Sequence, residues 1–286
     1  MDIGIGIPNS VRGTTGPQLL EWARRAEAAG FSTLGTIGRV AYPSYEELTV
    51  LAAAGAVTDR IGLMSNILVA PTRSTAELAK QAASVHELTG GRLTLGVAAG
   101  GRADDFALTG REFEGRGRRF DEQLAELRRA FAGEALAEGS QPVVPDGVTP
   151  VPIMIGGSSD AALRRTLEFG VGWTAGGAPP QAAAPFVERV RAAWRDAGRE
   201  GSPRFVALNY FSLGDTEQQS RGYLHDYYGF LGPEFAEMVA SGAHRSSGEI
   251  RDVVAAFAEA GFDELILDPT IGDPAQVDLL AEAALR

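Results

Sequence analysis

The segment Ile153-Met154-Ile155-Gly156-Gly157-Ser158-Ser159-Asp160 holds the clearest chemistry in the chain. An apolar run ends in two glycines, then hydroxyls, then a helical pattern. Glycine lets a backbone approach an anion closely, and the first N–H groups of a helix have no partner inside it. Those groups and the helix dipole favour negative charge just ahead of the helix. The segment reads either as a phosphate cradle, with Ser158 or Ser159 adding a hydroxyl, or as a plain turn with a Ser or Asp cap. A second turn, Gly100-Gly101-Arg102, leaves room for a flat ligand beside a guanidinium fork. By itself it reads as a tight turn with a solvent-facing Arg. Asn66 is a polar residue inside the apolar run 61–69, so its amide must bond either strand backbone or a ligand. Arg39 is open to the same two readings, a surface ion pair or an anion contact.

Other chemistry is thinly represented. His86 falls in a helical stretch and reads as structural, while His225 and His244 fall in an insertion at 214–245. No His and carboxylate spacing suits a metal, and neither a nucleophile elbow nor a phosphate-binding P-loop is present. Asp104-Asp105 reads as a solvated helix start, and Arg116, Arg118 and Arg119 read as local ion-pairing residues. The 286 residues include no cysteine, which excludes disulfides, thiolate ligands, cysteine nucleophiles and cysteinyl cofactor links. Lys80, the single lysine, is the sole candidate for Schiff-base chemistry. The net charge of -11 argues against nucleic acid or an anionic membrane as a general partner. No apolar run approaches the ~20 residues that span a bilayer, and the first residues show no basic flank before an apolar core. The expectation is a cytoplasmic protein.

Positioning these groups falls to a repeating pattern. Helical stretches end at glycine and short apolar runs follow at once, as at Gly30-Phe31, Gly170-Val171 and Gly261-Phe262. Glycine accepts the left-handed cap conformation there, and a strand starting two or three residues later fits a tight α/β loop. Apolar runs at 3–7, 33–37, 61–69, 93–97, 151–155, 171–174, 205–211 and 265–267 suit parallel strands buried on both faces. Helical periodicity follows each, at 16–29, 44–57, 75–88, 117–132, 160–169, 185–197, 247–260 and 274–285. Eight such units in about 250 residues are the arithmetic of an α/β (β/α)8 TIM barrel, with a doubly wound sheet as the other option. The whole chain, 1–286, reads as one barrel domain with two excursions. Residues 133–150 form a Gly- and Pro-rich loop. Residues 214–245, with Tyr223, Tyr227, Tyr228 and Phe230, form a helical insertion after strand seven and a possible lid.

In such a barrel the chemistry sits at the C-terminal ends of the strands. That selects Pro8-Asn9, Thr36 and Arg39, Ser65-Asn66, the turn after strand four, Gly156–Ser159, Trp173, Asn209-Tyr210 and Asp268. Arg39, Trp173, Tyr210 and Tyr227 are the candidates for touching a substrate.

Together these motifs resemble the bacterial luciferase-like flavin-dependent oxidoreductases. The run Glu87-Leu88-Thr89-Gly90-Gly91-Arg92-Leu93-Thr94-Leu95-Gly96-Val97 is similar to that family's "SGGR" signature, and Arg116-Gly117-Arg118-Arg119-Phe120-Asp121-Glu122-Gln123-Leu124 to the helix that follows it. Ile67-Leu68-Val69-Ala70-Pro71-Thr72-Arg73 and Ile155-Gly156-Gly157-Ser158 fall where the family has them, so the resemblance spans almost the whole chain. It implies a luciferase-like barrel, often dimeric, that binds reduced FMN or the deazaflavin F420 at its mouth. Gly156, Gly157 and Ser158 would hold the cofactor phosphate, and Asn66 and Ile67 would lie against the ring, in several members on a bulge with a non-prolyl cis peptide. Ala99, Gly100 and Gly101 would border ring or phosphate. Many members place an acid or His at the end of strand two, where this chain has Thr36-Ile37-Gly38-Arg39, so no catalytic acid or base is assigned.

The resemblance implies an FMN-dependent monooxygenase acting on a small organic molecule, fed by a separate flavin reductase. An F420-dependent hydride transfer is the alternative, and a non-catalytic flavin-binding barrel a second. With no cysteine, the flavin would be held non-covalently.

Overall fold

The computed structural model describes residues 1–286. In chain order the elements are β1 (Asp2–Gly6), α1 (Gly16–Ala29), β2 (Thr33–Thr36), α2 (Glu47–Gly55), β3 (Gly62–Ser65), β4 (Leu68–Val69), α3 (Thr75–Leu88), β5 (Leu93–Ala98), α4 (Ala103–Leu108) and α5 (Arg116–Phe131). There follow β6 (Ile153–Gly156), α6 (Asp160–Phe169), β7 (Gly172–Thr174), α7 (Pro180–Asp196), β8 (Arg204–Phe211), α8 (Glu217–Tyr228), α9 (Pro233–Ser241), α10 (Ser247–Glu259), β9 (Glu264–Pro269) and α11 (Ala275–Ala284). The strands pair in the order β3-β2-β1-β9-β8-β7-β6-β5, and β3 pairs again with β5 to close the ring. Every ladder is parallel and the helices pack outside, so the fold is the (β/α)8 barrel that the repeat predicts.

The third stave departs from the unbroken apolar run at 61–69 and agrees with the bulge that the family resemblance implies at Asn66 and Ile67. The run 61–69 is not one strand but β3 and β4, interrupted at Asn66–Ile67, a cis peptide. Pairing explains the break. Met64 lies opposite Thr94 and Leu68 opposite Val97, so four steps on one side face three on the other. One residue is extra, and the stave bulges. The Ser65 hydroxyl fills the gap in the ladder, donating to the Gly96 carbonyl at 2.9 Å and accepting from the Gly96 N–H at 3.0 Å. Only glycine fits at 96, since a Cβ there would stand 1.9 Å from the Ser65 carbonyl oxygen.

Two further details differ from the sequence pattern. Helix α7 starts at Pro180, five residues before Pro185, because the Pro179 carbonyl accepts from Ala182 and Ala183 and Pro180 suits a first helical position. Gly30 and Gly261 have positive φ as expected of caps, but Gly170 is extended. Glycine is required at 170 for space, with the Gly172 and Thr166 carbonyl oxygens 3.1 Å from a Cβ position.

The core is unevenly divided. A cluster of 53 buried apolar residues fills the layer between staves and helices, whereas Met64, Met154, Val206 and Ile266 alone form an apolar layer inside the barrel. Gly4 and Gly35 leave room for Ile266, which stands 2.9 Å from either Cβ position. Stability thus resides mainly in the outer layer, and the upper end of the barrel is free to carry polar groups. Below the apolar layer, Glu264 is buried and takes bonds from Ser32 and Arg204.

Candidate functional site

A cavity of about 470 Å³ opens at the C-terminal ends of the staves. One wall comes from the bulged stave and its neighbour, through Asn66, Ile67, Val69 and Ala98–Gly101. A second is the β6–α6 junction, through Gly156, Gly157, Ser159, Ala162 and Arg165. Leu208 and Tyr210 of β8 and Tyr227, Tyr228, Phe230 and Leu231 of the insertion form a third.

The first wall is shaped by small residues. A Cβ on Gly100 would lie 2.3 Å from Val69 Cγ1, and one on Gly156 would lie 2.2 Å from Ile67 Cδ1. Arg116 donates to the Gly100 carbonyl at 2.9 Å and so braces that turn from behind. Asn66 is buried; its Oδ1 accepts from Thr174 Oγ1 at 2.8 Å, while its Nδ2 has no partner in the protein. A buried donor without a partner costs free energy, and this one belongs to a residue that lines the cavity.

At the second wall Ser159 caps α6, its Oγ accepting from the Ala162 N–H at 3.2 Å. The open first turn of this helix faces the cavity through Ser159 and Ala162. Arg165, one turn further, brings a guanidinium that is half committed to Asp121 at 2.6 Å and to the Gly117 carbonyl at 2.9 Å. Helix terminus and cation together suit a phosphate. The residues present therefore fit a flavin nucleotide, with a dianion at α6 and a flat ring against the bulge.

Of the expected site residues, Asn66, Ile67, Ala99, Gly100, Gly101, Gly156, Gly157, Tyr210 and Tyr227 all line this cavity. Three do not. Ser158 is exposed beside the turn, and Ser159 takes its place in the lining. Trp173 points outward into the helix layer against Phe186 and Phe262, because Thr174 takes the inward position in the alternation of β7. Its indole N–H donates to the Gly157 carbonyl at 2.6 Å, so it braces the turn. Arg39 is an insertion latch, not a substrate contact: it pairs with Asp104 at 2.7 Å, donates to the Tyr227 carbonyl and lies 4.0 Å from the Phe230 ring centre. The acidic pair is likewise structural. Asp105 is buried, binding Arg102 Nε and the Ala41 N–H at 2.8 Å each. None of the three histidines reaches the cavity; His86 ties the Leu93 carbonyl to Thr149.

Sequence reasoning missed Thr174, Arg165 and the environment of Asp268. Asp268 faces Gly6 inside the barrel, and a Cβ on Gly6 would clash with its carboxyl. It is fully buried and Oδ1 has no partner. Desolvation raises its pKa well above the usual carboxylate range, which keeps it neutral. In the unfolded chain it ionises above about pH 4. Its neutral-state contribution is complete below that pH and is lost as pH climbs toward the raised folded value, by up to about 1.4 kcal/mol per pH unit. Asp268→Asn, which cannot ionise, is expected to be more stable than the native protein at pH 8, with the gap closing at pH 4. Urea midpoints at both pH values check this; equal gaps would show a charged native Asp268.

Comparison with known proteins adds the following. The luciferase-like monooxygenase family model matches residues 1–283. An uncharacterised Mycobacterium tuberculosis protein is 31% identical over 244 residues, covering 74% of this chain and 84% of that protein. An FMNH2-dependent dimethylsulfone monooxygenase of Pseudomonas putida is 26% identical over 262 residues, covering 85% of this chain and 71% of that enzyme. The structure of an F420-dependent secondary alcohol dehydrogenase in complex with an F420-acetone adduct superposes with a TM-score of 0.79 at 17% identity, covering 99% of this chain and 98% of the other.

Proposed function

The chain belongs to the luciferase-like monooxygenase family, and on that premise we propose that it is a monooxygenase using non-covalently held reduced FMN and O2 on a small organic substrate. Reduced FMN, when bound, supplies the electrons that activate O2. The protein's part is to bind, orient and exclude water. The first turn of α6, with Ser159 and Arg165, takes the phosphate. The orphaned Nδ2 of Asn66, held in place by Thr174, donates to a ring heteroatom. Phe230 and Leu231 line the mouth and would keep water from a bound ring.

The observation that carries FMN over F420 is the state of the arginines. F420 has a polyglutamate tail, which calls for free cations at the mouth. Arg39 is paired with Asp104, and Arg102 with Asp105 and the Gly38 carbonyl. A net charge of -11 leaves no general field to attract the tail. The reading extends to a cytoplasmic homodimer served by a separate flavin reductase, with neither nucleic acid nor a membrane as a partner. No helix is long and apolar enough to cross a membrane.

Side-by-side fluorescence titration with FMN, FAD and F420 tests it. FMN is expected to bind at least tenfold more tightly than F420. Tighter F420 binding would transfer the assignment to deazaflavin hydride transfer. FMN binding without turnover, across reductants and a substrate panel, would leave a flavin-binding protein.

A further inference from the structure

The wall facing the cofactor positions contains a pair of phenols that neither ring nor phosphate uses. Tyr210 projects from β8 and Tyr228 from the end of α8, and their hydroxyl oxygens are 2.7 Å apart. Both residues line the cavity. Each phenol has one O–H, and the bond between them uses one of the two. One donor is therefore left over, and neither hydroxyl has another protein partner. The residues that fit the cofactor belong to the bulged stave, β5 and the β6–α6 junction, whereas the phenols stand two staves beyond β6. What lies between them is the space left for a substrate.

The charges around that space are already spent. No Asp or Glu lines the cavity, so nothing there receives an ammonium group. Its two arginines each face a carboxylate, Arg102 with Asp105 at 2.8 Å and Arg165 with Asp121 at 2.6 Å. The other lining residues on this side include Leu208, Tyr227, Phe230 and Leu231.

Resting on the flavin reading above, we propose that Tyr228 and Tyr210 form the substrate-recognition site, presenting one phenol O–H to the oxygen of an uncharged, largely apolar carbonyl or hydroxyl compound. Burial raises the pKa of both phenols, so they remain donors at neutral pH. A sulfonate or carboxylate finds no free cation here and would have to displace an existing ion pair. An apolar molecule of the same shape would leave the spare O–H unpaired, and the loss of one neutral hydrogen bond corresponds to about a 3- to 10-fold loss of affinity.

Two probes of one shape, cyclohexanone and methylenecyclohexane, and an anion on the same ring, cyclohexanesulfonate, test this. Affinities are read by ligand-observed NMR on the full chain, alone and with FMN or F420 added. Cyclohexanone is expected to bind about 3- to 10-fold more tightly than the alkene, and the sulfonate more weakly than either. The double variant Tyr210→Phe, Tyr228→Phe keeps both rings and is expected to bring the ketone-to-alkene ratio to one. Tyr228→Phe alone, expected to lower the ratio, serves if the double variant fails to fold. A purely structural role for the pair would weaken both neutral probes together and leave their ratio intact, and that result overturns the proposal. So does a sulfonate that binds more tightly than the ketone when FMN is present and the anion cradle at α6 and Arg165 is filled. A native protein that binds neither flavin yet shows the ketone preference loses the flavin reading and keeps the recognition site.

Discussion

Gly156→Val is expected to cut FMN affinity a hundredfold or more while the barrel still folds. The reason is a single close approach. A Cβ at 156 would stand 2.2 Å from Ile67 Cδ1 and 3.5 Å from the Ala98 Cβ. Valine adds two further methyl groups at the same place. Ala98 is anchored in β5 and cannot retreat, whereas Ile67 follows the bulge and is only partly buried. Ile67 is therefore the group that moves, and the cavity is the space available to it. Overpacking of this kind costs about 1–3 kcal/mol of stability, which a core of this size can tolerate. The loss in binding is larger, because the displaced side chain occupies the volume assigned to the ring; a hundredfold corresponds to about 2.8 kcal/mol. Flavin fluorescence titration gives the affinity, and thermal denaturation shows whether the fold survives. A folded variant with native FMN affinity would remove the cradle assignment. Gly157→Leu makes a useful contrast, since its Cβ would meet only Ala162 at 3.6 Å and the burden there is the positive φ.

Particular residues show how far the sequence could be read. The staves were legible because parallel strands buried on both faces need unbroken apolar runs, and the anion turn because glycine, hydroxyl and helix start are adjacent in sequence. The break in the third stave was implied by the family resemblance and was not legible in the residue pattern. It depends on a one-residue offset against β5, some thirty residues away, and Ile67 and Leu68 continue the apolar run without a mark. Trp173 was placed on the wrong face because β7 has only three residues, too few to show an alternation. Arg39 was open to two readings because its partner, Asp104, is 65 residues away. Asp268 could be placed at a strand end, but its burial depends on Gly6 and Tyr210 on the flanking strands. The pairing of Tyr210 with Tyr228 joins β8 to an insertion whose path no periodicity reveals. Local chemistry was visible, and chemistry made by cross-strand neighbours was not.

The family-like run 87–97 carries the converse lesson, and its arginine gives the second large effect. Arg92→Met is expected to cost about 3 kcal/mol of stability and to leave FMN affinity of the folded protein unchanged. Arg92 precedes β5 at the N-terminal end of the barrel, away from the mouth. Its Nε donates to the Thr89 carbonyl at 2.7 Å. Nη1 reaches Thr58 Oγ1 and the Ile61 carbonyl, and Nη2 reaches the Gly55 and Thr58 carbonyls, all within 3.0 Å. One planar fork thus satisfies the carbonyl end of α2, the loop after it and the entrance to β3. Methionine preserves the aliphatic stem and leaves those acceptors without a donor. Arg92→Lys is expected to recover only part of the loss, because an ammonium has three donors on one atom and cannot span both sides of the fork. At roughly 2 °C per kcal/mol for a domain of this size, the transition should fall by about 6 °C. Calorimetry checks the shift, and FMN titration below the transition checks the site. An unchanged transition would deny the arginine its structural role, while lost FMN binding at native stability would tie the run to the mouth. Shape at the bottom of the barrel and chemistry at its top are separate demands, and the family-like run 87–97 meets the first.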